Sequence, residues 1–99
     1  MKLLLILCDK AYEPDVIEFL ERNGVNMYEM IDGAKFSSPK IKRLSTPVWP
    51  GREVIFMGFL SEVTEGQRKA FRELKETIEG KSVAGSLPIR IYIQEVEEV

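Results

Sequence analysis

Two apolar runs of strand length, two segments of helical spacing with start and stop signals, and two alternating segments predict an α+β fold. Their order is β-α-β-β-α-β, the ferredoxin-like arrangement. The 99 residues suffice for one domain, residues 1–99, and 44% apolar content provides a core that a disordered chain would lack.

The elements follow in order. Met1 to Cys8 is a nearly unbroken apolar run, the pattern of a strand buried on both faces. Pro14 suits the first turn of a helix, where its missing N–H costs nothing, and Asp15 and Glu18 complement the positive helix end. Val16, Ile17 and Leu20 share the inner face with Phe19 at its margin, and Gly24 supplies a left-handed stop. From Val25 to about Asp32 the chain alternates, with Val25, Met27, Glu29 and Ile31 facing one way and Tyr28 and Met30 the other.

Residues 33–51 show no period and contain Gly33, Pro39, Pro47, Pro50 and Gly51. They read as one long connection, a length that marks functional or disordered loops. Arg52 to Leu60 is apolar on both faces again. Thr64 and Gln67 have capping-box spacing at the start of a second helix. Ala70, Phe71, Leu74 and Ile78 form its buried stripe, and Gly80 is its expected end. After a small-residue loop from Gly80 to Ser86, Leu87, Ile89, Ile91 and Ile93 alternate with Pro88, Arg90, Tyr92 and Gln94, the one-sided pattern of an edge strand.

The two doubly apolar strands belong at the centre of a four-stranded antiparallel sheet. Right-handed crossovers then put both helices on one face. Half of the apolar side chains of Leu3–Cys8 and Val54–Leu60 remain on the other, a patch that predicts self-association.

Several chemistries are excluded. The chain has no His, hence neither the commonest general base nor the commonest metal ligand. Cys8 is the single cysteine, so no intramolecular disulfide, paired-cysteine zinc site or redox dithiol can form, and at the end of a buried strand it reads as a packed thiol. No nucleophile-base or acid-base pair stands out, and no metal site or enzymatic activity is expected. The apolar run Leu3–Cys8 is too short to cross a bilayer and lacks the basic flank and cleavage site of a signal peptide. A cytoplasmic protein without membrane insertion is expected. RNA recognition on this fold needs exposed aromatics on the central strands; LLLILC has none, so no nucleic-acid partner is expected.

The net charge of −2 hides a segregation. Lys35, Lys40, Lys42, Arg43 and Arg52 fall within residues 33–52, where no acid occurs, leaving nine basic against sixteen acidic residues elsewhere. Two readings stand: a solvated loop, or an arm for an anionic ligand or an acidic partner surface. Trp49, between Pro47 and Pro50, is either a plug for its own domain or an interface anchor. The segment GKSVAGS at residues 80–86 is either a plain turn or a phosphate-contacting loop, but it lacks Walker A spacing.

With these elements in place, MKLLLILCD…DVIEFLERNGVNMYEMIDGAKF resembles the opening of the PII-type signalling proteins. The likeness lies in a first strand beginning Met-Lys, a helix ending in Asn-Gly-Val, and a second strand running into a glycine-containing turn. The chain is also similar to the broader PII and CutA superfamily, whose members form trimers by packing sheets around an axis. The resemblance implies a homotrimer that senses a small effector, an adenine nucleotide being the candidate, in clefts between subunits, with no obligatory cofactor. By position, Gly33 and Lys35 would lie at the base of the partner-contacting T-loop. Lys81, Ser82 and Gly85 would lie in the phosphate-contacting B-loop, and Arg90 on the last strand. Lys40, Lys42, Arg43, Trp49 and Arg52 would face a partner, a transporter or an enzyme; TPVWPG resembles a segment of divergent members associated with transporters. The sequence departs from the family pattern in lacking a Gly-Asp-Gly-Lys-type B-loop and a loop tyrosine. The alternative is a CutA-like trimeric scaffold or metal-tolerance protein that binds no nucleotide.

Overall fold

A computed structural model describes residues 1–35, 52–82 and 88–99. Strand β1 (Lys2–Asp9) leads through one 3₁₀ turn (Lys10–Tyr12) into helix α1 (Glu13–Arg22). Then come β2 (Tyr28–Lys35), β3 (Arg52–Leu60), α2 (Glu65–Lys81) and β4 (Ile89–Glu95). The sheet order is β2-β3-β1-β4 with every pair antiparallel, so the two doubly apolar strands are central. This is the expected α+β ferredoxin-like fold.

Register assigns each face. Leu4, Ile6 and Cys8 of β1 lie beside Gly58, Phe56 and Val54 of β3. Together with Ile89 they meet Val16, Phe19 and Leu20 of α1 and Phe71 and Ile78 of α2 in one core. Phe19 packs against Phe71 as a tilted ring pair with centroids 5.3 Å apart and is only 4% exposed. It is therefore a core residue rather than a marginal one, because α2 supplies a second wall that the periodicity of α1 alone does not reveal. Ile17 is partly buried instead.

Local signals act as their chemistry dictates. Asp9 caps the 3₁₀ turn by accepting from the Ala11 N–H at 3.3 Å, and Pro14 occupies the first turn of α1. Gly24 has φ +76°, a left-handed conformation open to glycine at no steric cost. The turn is closed by the Val25 N–H donating to the Leu20 carbonyl at 2.9 Å. Val25 precedes β2 and is buried, with its Cγ1 only 3.4 Å from where a Cβ on Gly58 would sit. The alternation therefore begins at Tyr28: Tyr28 and Met30 pair with Gly58 and Phe56 on the helix side, and Glu29 and Ile31 with Met57 and Ile55 on the other.

Thr64 and Gln67 form the capping box, with bonds of 3.1 and 3.0 Å, and the Gln67 amide donates to the Asn23 carbonyl at 3.2 Å. One residue thus caps α2 and ties it to the end of α1. Thr64→Ala is expected to cost about 1 kcal/mol of unfolding free energy in a urea titration. An unchanged midpoint would show that the cap adds nothing. Helix α2 does not stop at Gly80; it continues through Lys81, and Ser82 caps it by donating its hydroxyl to the Glu79 carbonyl at 2.9 Å. Gly80 lacks a positive φ, so its place near the helix end misleads.

Only one face of the sheet is covered among the described residues. On the other, Leu3, Leu5 and Leu7 lie beside Phe59, Met57 and Ile55, with Gln94, Tyr92 and Arg90 across β1. Phe59, Tyr92 and Ile31 are each about half exposed. No helix among the described residues is long and apolar enough to cross a membrane.

Candidate functional site

The strand order gathers the three connections that follow β1, β2 and α2 at one end of the sheet. Strands β1 and β2 end there and β3 and β4 begin there. Helix α1 starts at this end and α2 finishes at it. Gly33, Lys35, Arg52, Lys81, Ser82 and Arg90, scattered over 58 positions of sequence, are thereby brought to the same end of the domain.

Two of them sit differently from expectation. Gly33 and Lys35 belong to β2 rather than to the connection, and Lys35 pairs in register with Arg52, the expected first residue of β3. Gly33 occupies a bulge between Asp32 and Ala34 with φ +89°. A bulge there lets the ladder continue past Asp32 and turns the strand end. Lys40, Lys42, Arg43, Trp49 and Gly85 lie outside the described residues, as does Leu87.

Arg90 and Lys81 lie on opposite sides of the sheet. Arg90 stands on the open face beside Leu7 and reaches across β1, its Nη2 donating to Glu53 Oε1 at 2.6 Å. The Glu53 residue is 3% exposed and Asp9, its register partner, 7%. Both acids follow or precede apolar runs and share the open face with Arg90. A buried carboxylate is tolerated there because the guanidinium and further polar contacts satisfy it. The Asp9 N–H also donates to the Pro88 carbonyl at 2.8 Å, fixing the entry into β4.

On the helix side of the same end, Lys10 donates to Asp32 Oδ2 at 2.5 Å and also pairs with Glu13. These two bonds, that to Asp32 first, hold the Lys10 ammonium above its ordinary pKa. Burial, aided by the charges of Asp9 and Asp15, raises the pKa of the Tyr12 phenol, so Tyr12 is a neutral hydroxyl at physiological pH. Lys81 lies in a groove of about 290 Å³ between α1 and α2, whose wall includes Asp15, Glu18, Arg22 and Glu73. Lys81 thus lines this groove together with three acids and an arginine, a mixed set of charges.

Glu53 and Asp9 join the site only through the register of β1, β3 and β4. A single acid at the start of REVIFMGFL is a visible signal, since an unpaired carboxylate is costly beside a run of apolar residues. Its partner is not visible in the sequence, because Arg90 is 37 positions away. Among the described residues no group of His, Cys, Asp and Glu could hold a metal ion.

No family model matches the sequence, and no curated protein does. Solved structures do. A PII-like signalling protein from Thermus thermophilus is 17% identical, with 94% of this chain and 83% of that one covered at a TM-score of 0.61. The nitrogen regulatory PII-like protein CPII from Thiomonas intermedia, bound to ADP, AMP and acetate, is 15% identical over 98% and 88% of the two chains, TM-score 0.63. The same protein bound to ADP and bicarbonate is 16% identical over 96% and 86%, TM-score 0.61. At such identities the likeness bears on architecture: this chain is built on the fold of the PII-like signalling proteins.

Proposed function

We propose that this protein is a divergent PII-like regulator, a homotrimer that senses a small effector, an adenine nucleotide, in clefts between subunits. It is a signalling protein without enzymatic activity, acting in the cytoplasm. The observation that carries this reading is the gathering of three connections at one end of a sheet whose second face, among the described residues, leaves an apolar patch around Leu3, Leu5, Phe59 and Tyr92 uncovered. Packing those faces around an axis would remove the patch from water and set the loop end of one subunit beside its neighbour. CPII, of the same fold, is found with ADP and AMP, which supports the nucleotide. Gly33, Lys35, Lys81, Ser82, Gly85 and Arg90 are assigned to the effector. Lys40, Lys42, Arg43, Trp49 and Arg52 are assigned to a partner, a transporter or an enzyme.

A thermal-shift panel of ADP, AMP and ATP, with and without bicarbonate, tests the reading. At about 100 times its dissociation constant a ligand of the folded state adds roughly 2.7 kcal/mol, a rise of several degrees in a domain of this size. A flat nucleotide panel with a response to divalent metals would favour the CutA-like scaffold instead. Replacing Lys40, Lys42 and Arg43 with Ala is expected to weaken partner binding and its salt dependence while leaving the trimer intact. Dissociation of the trimer would place this loop at the sheet interface.

A further inference from the structure

A second surface stands apart from the loop end. Along the outer side of β4, Ile91 and Ile93 of the strand and Phe71 of α2 form the apolar floor of a groove of about 180 Å³. Its other walls are Arg68, Arg72 and Lys75, and no acid lines it. Outside residues 33–52 the chain carries sixteen acids against nine bases, so three cations on one apolar groove run against the charge of the body around them. None of the three makes an ion pair among the described residues.

The groove has a backbone side as well. β4 is the edge of the sheet next to β1, and an edge strand presents unpaired N–H and C=O groups along its outer side. Arg68, Arg72 and Lys75 recur at i, i+4 and i+7, one face of α2, spanning about 10 Å at 1.5 Å per residue. An extended chain covers about 10 Å in three residues, and its alternate side chains, about 7 Å apart, point the same way.

We propose that this groove docks an extended acidic segment of a partner protein, which adds to the sheet as a strand beside β4. Glutamates at alternate positions would lay their methylenes on Ile91 and Ile93 and bring their carboxylates to Arg68, Arg72 and Lys75. Backbone hydrogen bonds to β4 supply the direction and register, and the cations select the sequence. A polyanion such as nucleic acid would meet the charge but fill neither the apolar floor nor the strand edge. This surface is independent of the nucleotide reading and of the loop at residues 33–52.

The probe is a capped octapeptide alternating Glu and Val, titrated into the full chain and followed by amide NMR shifts and fluorescence anisotropy. The expected result is shifts centred on Ile91 and Ile93 and affinity that falls as salt rises. Arg68→Gln, Arg72→Gln and Lys75→Gln together are expected to weaken binding about tenfold or more, equivalent to about 1.4 kcal/mol. Backbone N-methylation of the peptide is expected to abolish it with every charge retained. Equal binding of a Lys-Val peptide, shifts elsewhere, or indifference to the triple substitution would overturn the proposal. So would retention by the N-methylated peptide, or binding of phosphatidylserine vesicles in place of the peptide. Loss of the oligomer in the triple variant would assign the groove to a contact between copies and equally overturn it.

Discussion

Leu5→Asp is expected to convert the protein to a monomer at micromolar concentration. Leu5 lies at the middle of the open face, with Met57 of β3 on one side and Tyr92 of β4 on the other. Leu3 and Leu7 flank it along β1. In a single subunit the new carboxylate reaches water, so the fold tolerates it. In a trimer formed through this face, each copy would bury a charge among Leu, Met and Tyr side chains with no basic partner in register. Burying an unpaired ion costs several kcal/mol even after relaxation. At about 4 kcal/mol per subunit, association weakens by roughly three orders of magnitude for each carboxylate. Sedimentation velocity reads this directly, with circular dichroism as the control for folding. Leu5→Met, which preserves volume and polarity, is expected to remain assembled. An assembled, folded Leu5→Asp protein would remove the open face from the interface.

Phe56→Ala is expected to lower the unfolding free energy by about 3–5 kcal/mol, the range for deleting a buried aromatic ring. Phe56 is the largest fully buried side chain among the described residues and lies on the helix side of β3 between Ile6 and Met30. Its ring also meets Tyr28 at a centroid distance of 5.7 Å, a tilted pair that alanine would abolish. For a domain whose total stability is about 5–15 kcal/mol, that is a large share of the total. Phe56→Leu, closer in volume, is expected to cost under about 1.5 kcal/mol. Urea midpoints at fixed protein concentration measure both. A loss below about 1 kcal/mol for the alanine variant would mean that the core collapses around the gap. The two substitutions separate the faces of one sheet: Leu5→Asp acts on assembly and Phe56→Ala on folding.

Much of this was legible in the residues, for identifiable reasons. β1 and β3 are readable as central because both carry apolar residues at consecutive positions, as LLLILC and VIFMGF show, a pattern that edge strands rarely need. Thr64 with Gln67 marked the start of α2 because the capping box is a local, reciprocal bond pattern. Phe19 reads as marginal in the sequence because its burial depends on Phe71 of α2, far along the chain, whereas periodicity reports only a helix's own face. Gly80 misled because glycine near a helix end is a stop only when φ turns positive, and here it does not. The end of β2 was hidden by Gly33: one extra residue in the ladder breaks the alternation although pairing continues to Lys35.

The candidate site was less legible than the fold. Its residues converge through topology, as the placement of Lys81 and Arg90 at one end of the sheet illustrates, and topology follows only when every strand is placed. The Arg90–Glu53 pair joins positions on β4 and β3 across β1, a relation that no spacing in the chain encodes. The opposition of Lys81 and Arg90 across the sheet likewise needs the register.

Native mass spectrometry of the full chain with added ADP tests the central claim most directly, since it counts subunits and ligands in one spectrum. The account predicts three chains carrying up to three nucleotides, with the nucleotide lost from any species that falls apart into single chains. A monomer at micromolar concentration would contradict it, and so would a trimer that takes up no adenine nucleotide.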